Sequence, residues 1–178
     1  MIAPRMEPSP PSYRCEYPSK WGKPGHTLEK VSLEIVVANL AHLEALAALF
    51  DGYRVFYQQP SDLAGARQFL QARLEKGDST ILVAQAVDDL AGFTQLYPSF
   101  SSVSMKPIWI LNDLFVDEAH RGQGVAKRLI EAAETFARNS GAIRMVLETQ
   151  VTNTSAQALY EARGYVRDTE FYHYSLNL

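Results

Sequence analysis

The stretch Arg121-Gly122-Gln123-Gly124-Val125-Ala126 sets two glycines between an apolar segment and a run with helical periodicity, a combination suited to holding phosphate. Before it, Ile108 to Val116 is rich in branched and aromatic residues and follows Pro107, which predicts a mostly buried strand. After it, Val125, Leu129, Ile130, Ala133, Phe136 and Ala137 recur at helical spacing, with Lys127, Arg128, Glu131 and Glu134 on the other face. Gly122 and Gly124 therefore stand where a helix begins. The first N–H groups of a helix lack intrahelical partners and lie at the positive end of its dipole, so they suit a pyrophosphate. A glycine pair taken alone is more often a turn that binds nothing, and the surrounding elements must decide.

Downstream, Gly141 closes the first helix and Ile143–Thr149 reads as a strand. The run Asn153-Thr154-Ser155-Ala156-Gln157-Ala158-Leu159-Tyr160-Glu161-Ala162-Arg163-Gly164-Tyr165 then reads as a helix stopped by a glycine. The glycine turn resembles motif A of the GCN5-related N-acetyltransferases (GNAT), Arg/Gln-x-x-Gly-x-Gly/Ala, at Arg121, Gly124 and Ala126. The later helix resembles motif B, Asn-x-x-Ala-x-x-Leu-Tyr-x-x-x-Gly-Phe/Tyr, at Asn153, Ala156, Leu159, Tyr160, Gly164 and Tyr165. Two motifs in the right order, separated by a helix and a strand, are much harder to reach by chance than either alone.

The resemblance implies acetyl-CoA as acetyl donor, with no metal, gripped by Arg121, Gly122, Gln123, Gly124, Val125, Ala126 and Lys127. It also implies cofactor contacts from Asn153 and Ala156, and from the backbone N–H groups of Leu114 and Val116, with Phe115 between them. Asn153 serves equally as a helix cap. Tyr160 matches the family's frequent general acid, and a phenol of ordinary pKa near ~10 keeps its proton at neutral pH and can give it to a leaving thiolate.

On the acceptor side, the polyamine and thialysine acetyltransferase branch carries a Glu-Asp pair before its Leu-Phe-Val segment. Here the pair is Asn112-Asp113, which is also similar to the yeast Hpa2-type enzymes. An amide takes no proton at useful pH, so Asp113 is the nearest carboxylate to hold an ammonium group or activate water, and it is equally compatible with a strand aspartate hydrogen-bonded near a bulge. Asp51, Tyr53 and Tyr57 fall between the first two helices, the region that shapes the acceptor pocket in the family, where an acidic-aromatic rim would attract a cationic amine.

The remaining elements must carry these groups. Strands are expected at Val31–Val37, Ser79–Val87, Leu90–Leu96, Tyr165–Arg167 and Phe171–Leu176. Helices are expected from Asn39 to about Tyr57 and, capped by Ser61 or Asp62, from Leu63 to Gly77. Together they describe an α/β fold with a mixed sheet of about six to seven mainly antiparallel strands and four helices. The resemblance adds that the strand ending at Val116 splays from the one at Ile143–Thr149. Residues 1–30, with prolines at 4, 8, 10, 11, 18 and 24, read as a proline-rich arm, and 31–178 as a single acetyltransferase domain.

Across 178 residues, 17 Lys and Arg against 20 Asp and Glu leave a formal charge of -3, which gives no general attraction to nucleic acid or anionic membrane. Cys15 is the only cysteine, so an internal disulfide framework and a cysteine zinc cluster are excluded. No apolar stretch reaches the length of a membrane span, and the N-terminus lacks the apolar core of a signal peptide, so the expected location is cytoplasmic. The resemblance further implies direct acetylation of a small primary amine, such as a polyamine or amino acid, by a homodimer. A protein lysine or N-terminus as acceptor, and a non-catalytic acyl-CoA-binding module, are the alternatives.

Overall fold

The computed structural model describes residues 33–87 and 89–178. In chain order these form β1 (Glu34–Val37), α1 (Leu43–Phe56), α2 (Leu63–Lys76), β2 (Thr80–Gln85), β3 (Leu90–Ser101), β4 (Lys106–Val116), α3 (Val125–Asn139), β5 (Met145–Leu147) and α4 (Thr154–Ala162). Single 3-10 turns at Leu40–His42 and Glu118–His120 lead into α1 and out of β4. The sheet runs β1-β2-β3-β4-β5, antiparallel except for the parallel β4/β5 pair.

Alternation along the strands divides the core between the two faces. Ile81, Val83 and Phe93 pack under α1 and α2 with Leu46, Phe50 and Leu70, whereas Leu82, Ala84 and Leu96 pack under α3 with Leu129 and Ile130. Local capping fixes where the helices begin. The Asn39 side chain accepts from the Ala41 N–H at 2.9 Å, and the Asn39 N–H donates to His42 Nδ1 at 3.1 Å. Asp62 caps α2 by accepting from the Gly65 N–H at 2.9 Å.

β4 contains the irregularity on which the site depends. Gln95 pairs with Asp113 but the adjacent Leu96 pairs with Leu111, so Asn112 is the extra residue of a β-bulge. The bulge reverses the strand's facing. Trp109 and Leu111 pack on the α3 side, as do Leu114 and Val116, whereas Phe115 packs on the α1 side. A regular strand would have sent Asp113 toward α3. The bulge turns it toward α1 instead.

Five strands, rather than six to seven, are present among the described residues. The expected strands at Tyr165–Arg167 and Phe171–Leu176 carry no ladder pairing. Asp168 accepts from the Glu170 and Phe171 N–H groups at 2.8 and 3.1 Å, which turns the chain locally, and Phe171, Tyr172, Tyr174 and Leu176 remain exposed with no sheet face beneath them. β5 is shorter than the expected Ile143–Thr149. The start of the expected first strand and the whole proline-rich arm lie outside the described residues.

Candidate active site

The parallel pairing of β4 with β5 runs only from Trp109↔Met145 to Leu111↔Leu147. Beyond it, Asn112 to Val116 have a neighbour on the β3 side alone, so the two strands part. The direction of the freed amides follows from the ladder. The Asp117 N–H donates to Ala91 O across to β3 at 3.0 Å, and by alternation the amides of Phe115 and Asp113 point that way too. Those of Leu114 and Val116 therefore face the open edge.

A cleft of about 310 Å³ occupies the opening. Its floor is β4 from Leu111 to Val116 without Asp113. Tyr53 and Phe56 of α1 and Tyr57 just past its end form one wall, and Asn153, Ala156, Leu159 and Tyr160 at α4 form the other. Arg121 and Ala126 stand at one end and Glu148 and Thr149, just past β5, line it as well. A larger open groove of about 1080 Å³ runs between β5, α4 and the terminal segment, but it touches neither β4 nor the glycine turn. The chemistry-bearing residues converge on the smaller cleft.

The glycine turn lies beside the cleft: Arg121 and Ala126, which flank it, line the cleft, whereas Gly122, Gln123, Gly124, Val125 and Lys127 do not. Gly122 and Gly124 have φ of 72° and 79°, in the left-handed region, and Gly124 is the N-cap of α3 with no side chain capping the helix. The Val125 side chain is core, so only its backbone is available there, and Gln123, Lys127 and both glycines lie on the exposed surface of the turn. Arg121 donates from Nε to Val116 O at 3.2 Å, and its guanidinium lies 5.9 and 5.8 Å from the ring centres of Phe56 and Phe115. A cation thus links the α1 wall to the floor.

Tyr160 is 8% exposed, and its phenol is pushed above the ordinary value by burial and then by the neighbouring Tyr57 across the cleft. Its position is set by the end of its helix. Arg163 grips Glu134 of α3 through two hydrogen bonds of 2.7 and 2.8 Å and reaches Glu131 at 2.7 Å. At the start of the same helix Asn153 accepts from the Ala156 N–H at 3.2 Å, so it caps α4 and lines the cleft together.

Asp113 is 5% exposed and lies behind the cleft wall, not in it. Burial pushes its carboxyl above the ordinary range; the nearby Tyr53 hydroxyl and the Asn112 amide, which donates to it at 3.1 Å, partly oppose the rise. Tyr53 is packed among Phe50, Phe93 and Phe115, and its own phenol is driven far up by burial and by Asp113.

Asp51, expected on the acceptor rim, is occupied elsewhere. Its two oxygens accept from Ser61 Oγ at 2.6 Å and the Asp62 N–H at 2.7 Å, which ties α1 to the start of α2, and it does not line the cleft. Sequence reasoning missed Phe56, Glu148, Thr149 and Leu159. For Glu148 and Thr149 a signal existed, since they lie just past the carboxyl end of a strand beside a strand that diverges from it.

Residues 43–165 match the model of the acetyltransferase (GNAT) family. The uncharacterized N-acetyltransferase YhfO of Bacillus subtilis (strain 168) is 50% identical over 146 residues, covering 82% of this chain and 98% of that protein. The crystal structure of a probable acetyltransferase, 46% identical, superposes with a TM-score of 0.77 over 82% of this chain and 97% of its own. A third structure, AAC(6')-Iy in complex with the bisubstrate analog CoA-S-monomethyl-acetylneamine, shares the fold at 24% identity and a TM-score of 0.68, covering 83% of this chain and 99% of its own.

Proposed function

Because this chain belongs to the acetyltransferase (GNAT) family and is an acetyltransferase, we propose that it moves an acetyl group from acetyl-CoA directly to a primary amine of a small molecule, such as a polyamine or an amino acid. The observation that carries this reading is the convergence on one cleft of three features: the open-edge amides of Leu114 and Val116, the uncapped N-terminus of α3, and Tyr160.

The residues fit the donor. The α3 N-terminus behind Gly122 and Gly124 offers N–H groups and dipole for a pyrophosphate, with Arg121 beside it. Leu114 and Val116 present N–H donors along the floor, where an amide-bearing chain can lie against the edge of β4 as an added strand would. Asn153 and Ala156 flank the same space from α4. Acetyl-CoA supplies an activated thioester carbonyl, which the strand amides are placed to polarise. Tyr160 keeps its proton at neutral pH because burial disfavours the phenolate, and it can hand that proton to a departing thiolate. Asn112 cannot serve as a base, and Asp113 acts on the acceptor only through the groups that cover it.

A thiol-release assay with acetyl-CoA against a panel of amines and basic peptides tests the reading. Turnover with small amines is expected. Turnover confined to peptides would shift the acceptor to a protein lysine or N-terminus. Tight CoA binding with no turnover across the panel would point to a non-catalytic acyl-CoA-binding module. For Tyr160→Phe, kcat should fall on the order of 100-fold with acetyl-CoA affinity unchanged; undiminished turnover would remove Tyr160 from the acid role.

A further inference from the structure

Three contacts hold the Arg121 side chain at the cleft, and none of them supplies a negative charge. Its Nε donates to Val116 O at 3.2 Å, reaching over the bare edge of β4, and its guanidinium lies 5.8 Å from the Phe115 ring centre and 5.9 Å from that of Phe56. Its terminal nitrogens make no hydrogen bond and no ion pair among the described residues. Asp117, at the start of the same connection, is engaged elsewhere: it accepts from the Ala119 N–H at 2.9 Å and lies 3.6 Å from His120 Nδ1.

The two rings that carry this cation are anchored unequally. Phe115 is packed against the core, edge-on to Tyr53 at 6.1 Å between ring centres and beside Phe93 at 6.4 Å, and a Cβ on Gly52 of α1 would meet it at 3.6 Å. Phe56, the last residue of α1, is 54% exposed and pairs with the ring of Tyr57 at 5.3 Å. Its burial contributes little to the fold. A planar guanidinium can be held by its face while its N–H edge bonds an oxyanion, whereas an arginine on a bare turn must lose rotamer freedom when it binds.

We propose that Phe56 is a positioning residue for the donor: with Phe115 it holds the Arg121 guanidinium by its face and leaves the N–H edge free for the pyrophosphate of acetyl-CoA. A residue of the α1 wall thereby sets the grip on a ligand bound across from it. The inference rests on the acetyl-CoA reading above and adds to it a residue outside the glycine turn. Leucine in place of Phe56 keeps apolar bulk but has no ring quadrupole, so the guanidinium is held less firmly and binding must order it.

Calorimetric titration of the full chain with CoA, run as a double-mutant cycle, tests this. Phe56→Leu should weaken CoA binding about two- to fivefold, the worth of one partly exposed cation–π contact. Phe56→Tyr keeps a ring face and should bind CoA as the wild type does. Arg121→Ala should weaken binding about tenfold or more. Added to Arg121→Ala, Phe56→Leu should cost nothing further, because the ring acts through the guanidinium alone. Wild-type affinity in Phe56→Leu overturns the proposal. So does a Phe56→Leu effect that persists undiminished in the Arg121→Ala background, or a Phe56→Tyr variant as weak as Phe56→Leu. Failure of the acetyl-CoA reading itself looks different: the wild type would not bind CoA, and both would fall together.

Discussion

Asp113 and Glu134 are both buried carboxylates, and their surroundings push them in opposite directions. Among the described residues nothing cationic contributes to the Asp113 shift, and burial raises its carboxyl. A folded-state value above the unfolded one means that folding favours the protonated form. The cost is absent below the ordinary value of 3.8, grows as pH rises through the raised value, and then stays constant. Asp113→Asn is therefore expected to raise stability at pH 7 by about 1–2 kcal/mol, with the gain vanishing as pH falls toward 3.8, as thermal unfolding across pH would show. Glu134 is the reverse case. The two hydrogen bonds from Arg163 hold its carboxyl below the ordinary 4.5, so its contribution is present above 4.5 and lost as pH falls through the lowered value. Glu134→Gln should cost roughly 2 kcal/mol at pH 7 in chemical unfolding and nothing in strong acid. It should also lower kcat, because the bridge to Arg163 sets the end of the helix that bears Tyr160.

At the level of elements, the helices and the glycine turn were legible in the sequence because their signals are local. The apolar spacing of Val125 to Ala137 is the α3 stripe, and Asn153 and Gly164 bracket α4. Gly124, at φ 79°, occupies a backbone region that disfavours a β-branched side chain by ~1–2 kcal/mol. Gly124→Val should raise the KM for acetyl-CoA severalfold in steady-state kinetics while kcat changes less, since in the proposed function the turn holds the donor and not the reacting atoms. The facing of β4 was legible only in part. Reading Asp113 as a strand aspartate near a bulge was possible from the residues, but the register that turns it to α1 depends on which residues of β3 it meets. Asp51 was misplaced for a similar reason. Its partners Ser61 and Asp62 lie in the next connection, and no periodicity reports a carboxylate that bridges two helices. The terminal segments show alternating apolar residues yet pair with nothing, because alternation specifies a strand only where a sheet edge receives it.

The molecule as a whole offers such an edge. Among the described residues β5 is the outermost strand on its side of the sheet, and Phe171, Tyr172 and Tyr174 stand exposed. A homodimer that covers both is the assembly we propose. Sedimentation at micromolar concentration should give twice the chain mass, and Phe171→Glu combined with Tyr174→Glu should return it to the monomer value; a monomeric wild type would discard the idea. No helix among the described residues is long and apolar enough to cross a membrane. The wedge between β4 and β5 has one last consequence. In the function proposed above, its α1 wall serves the acceptor and its α3 and α4 side serves the donor, with the bare edge of β4 between them. Neither ligand has to pass the other, so the two can arrive in either order and must be present together. Double-reciprocal plots at several fixed amine concentrations should intersect and never run parallel, and each ligand should dissociate alone without waiting for its neighbour.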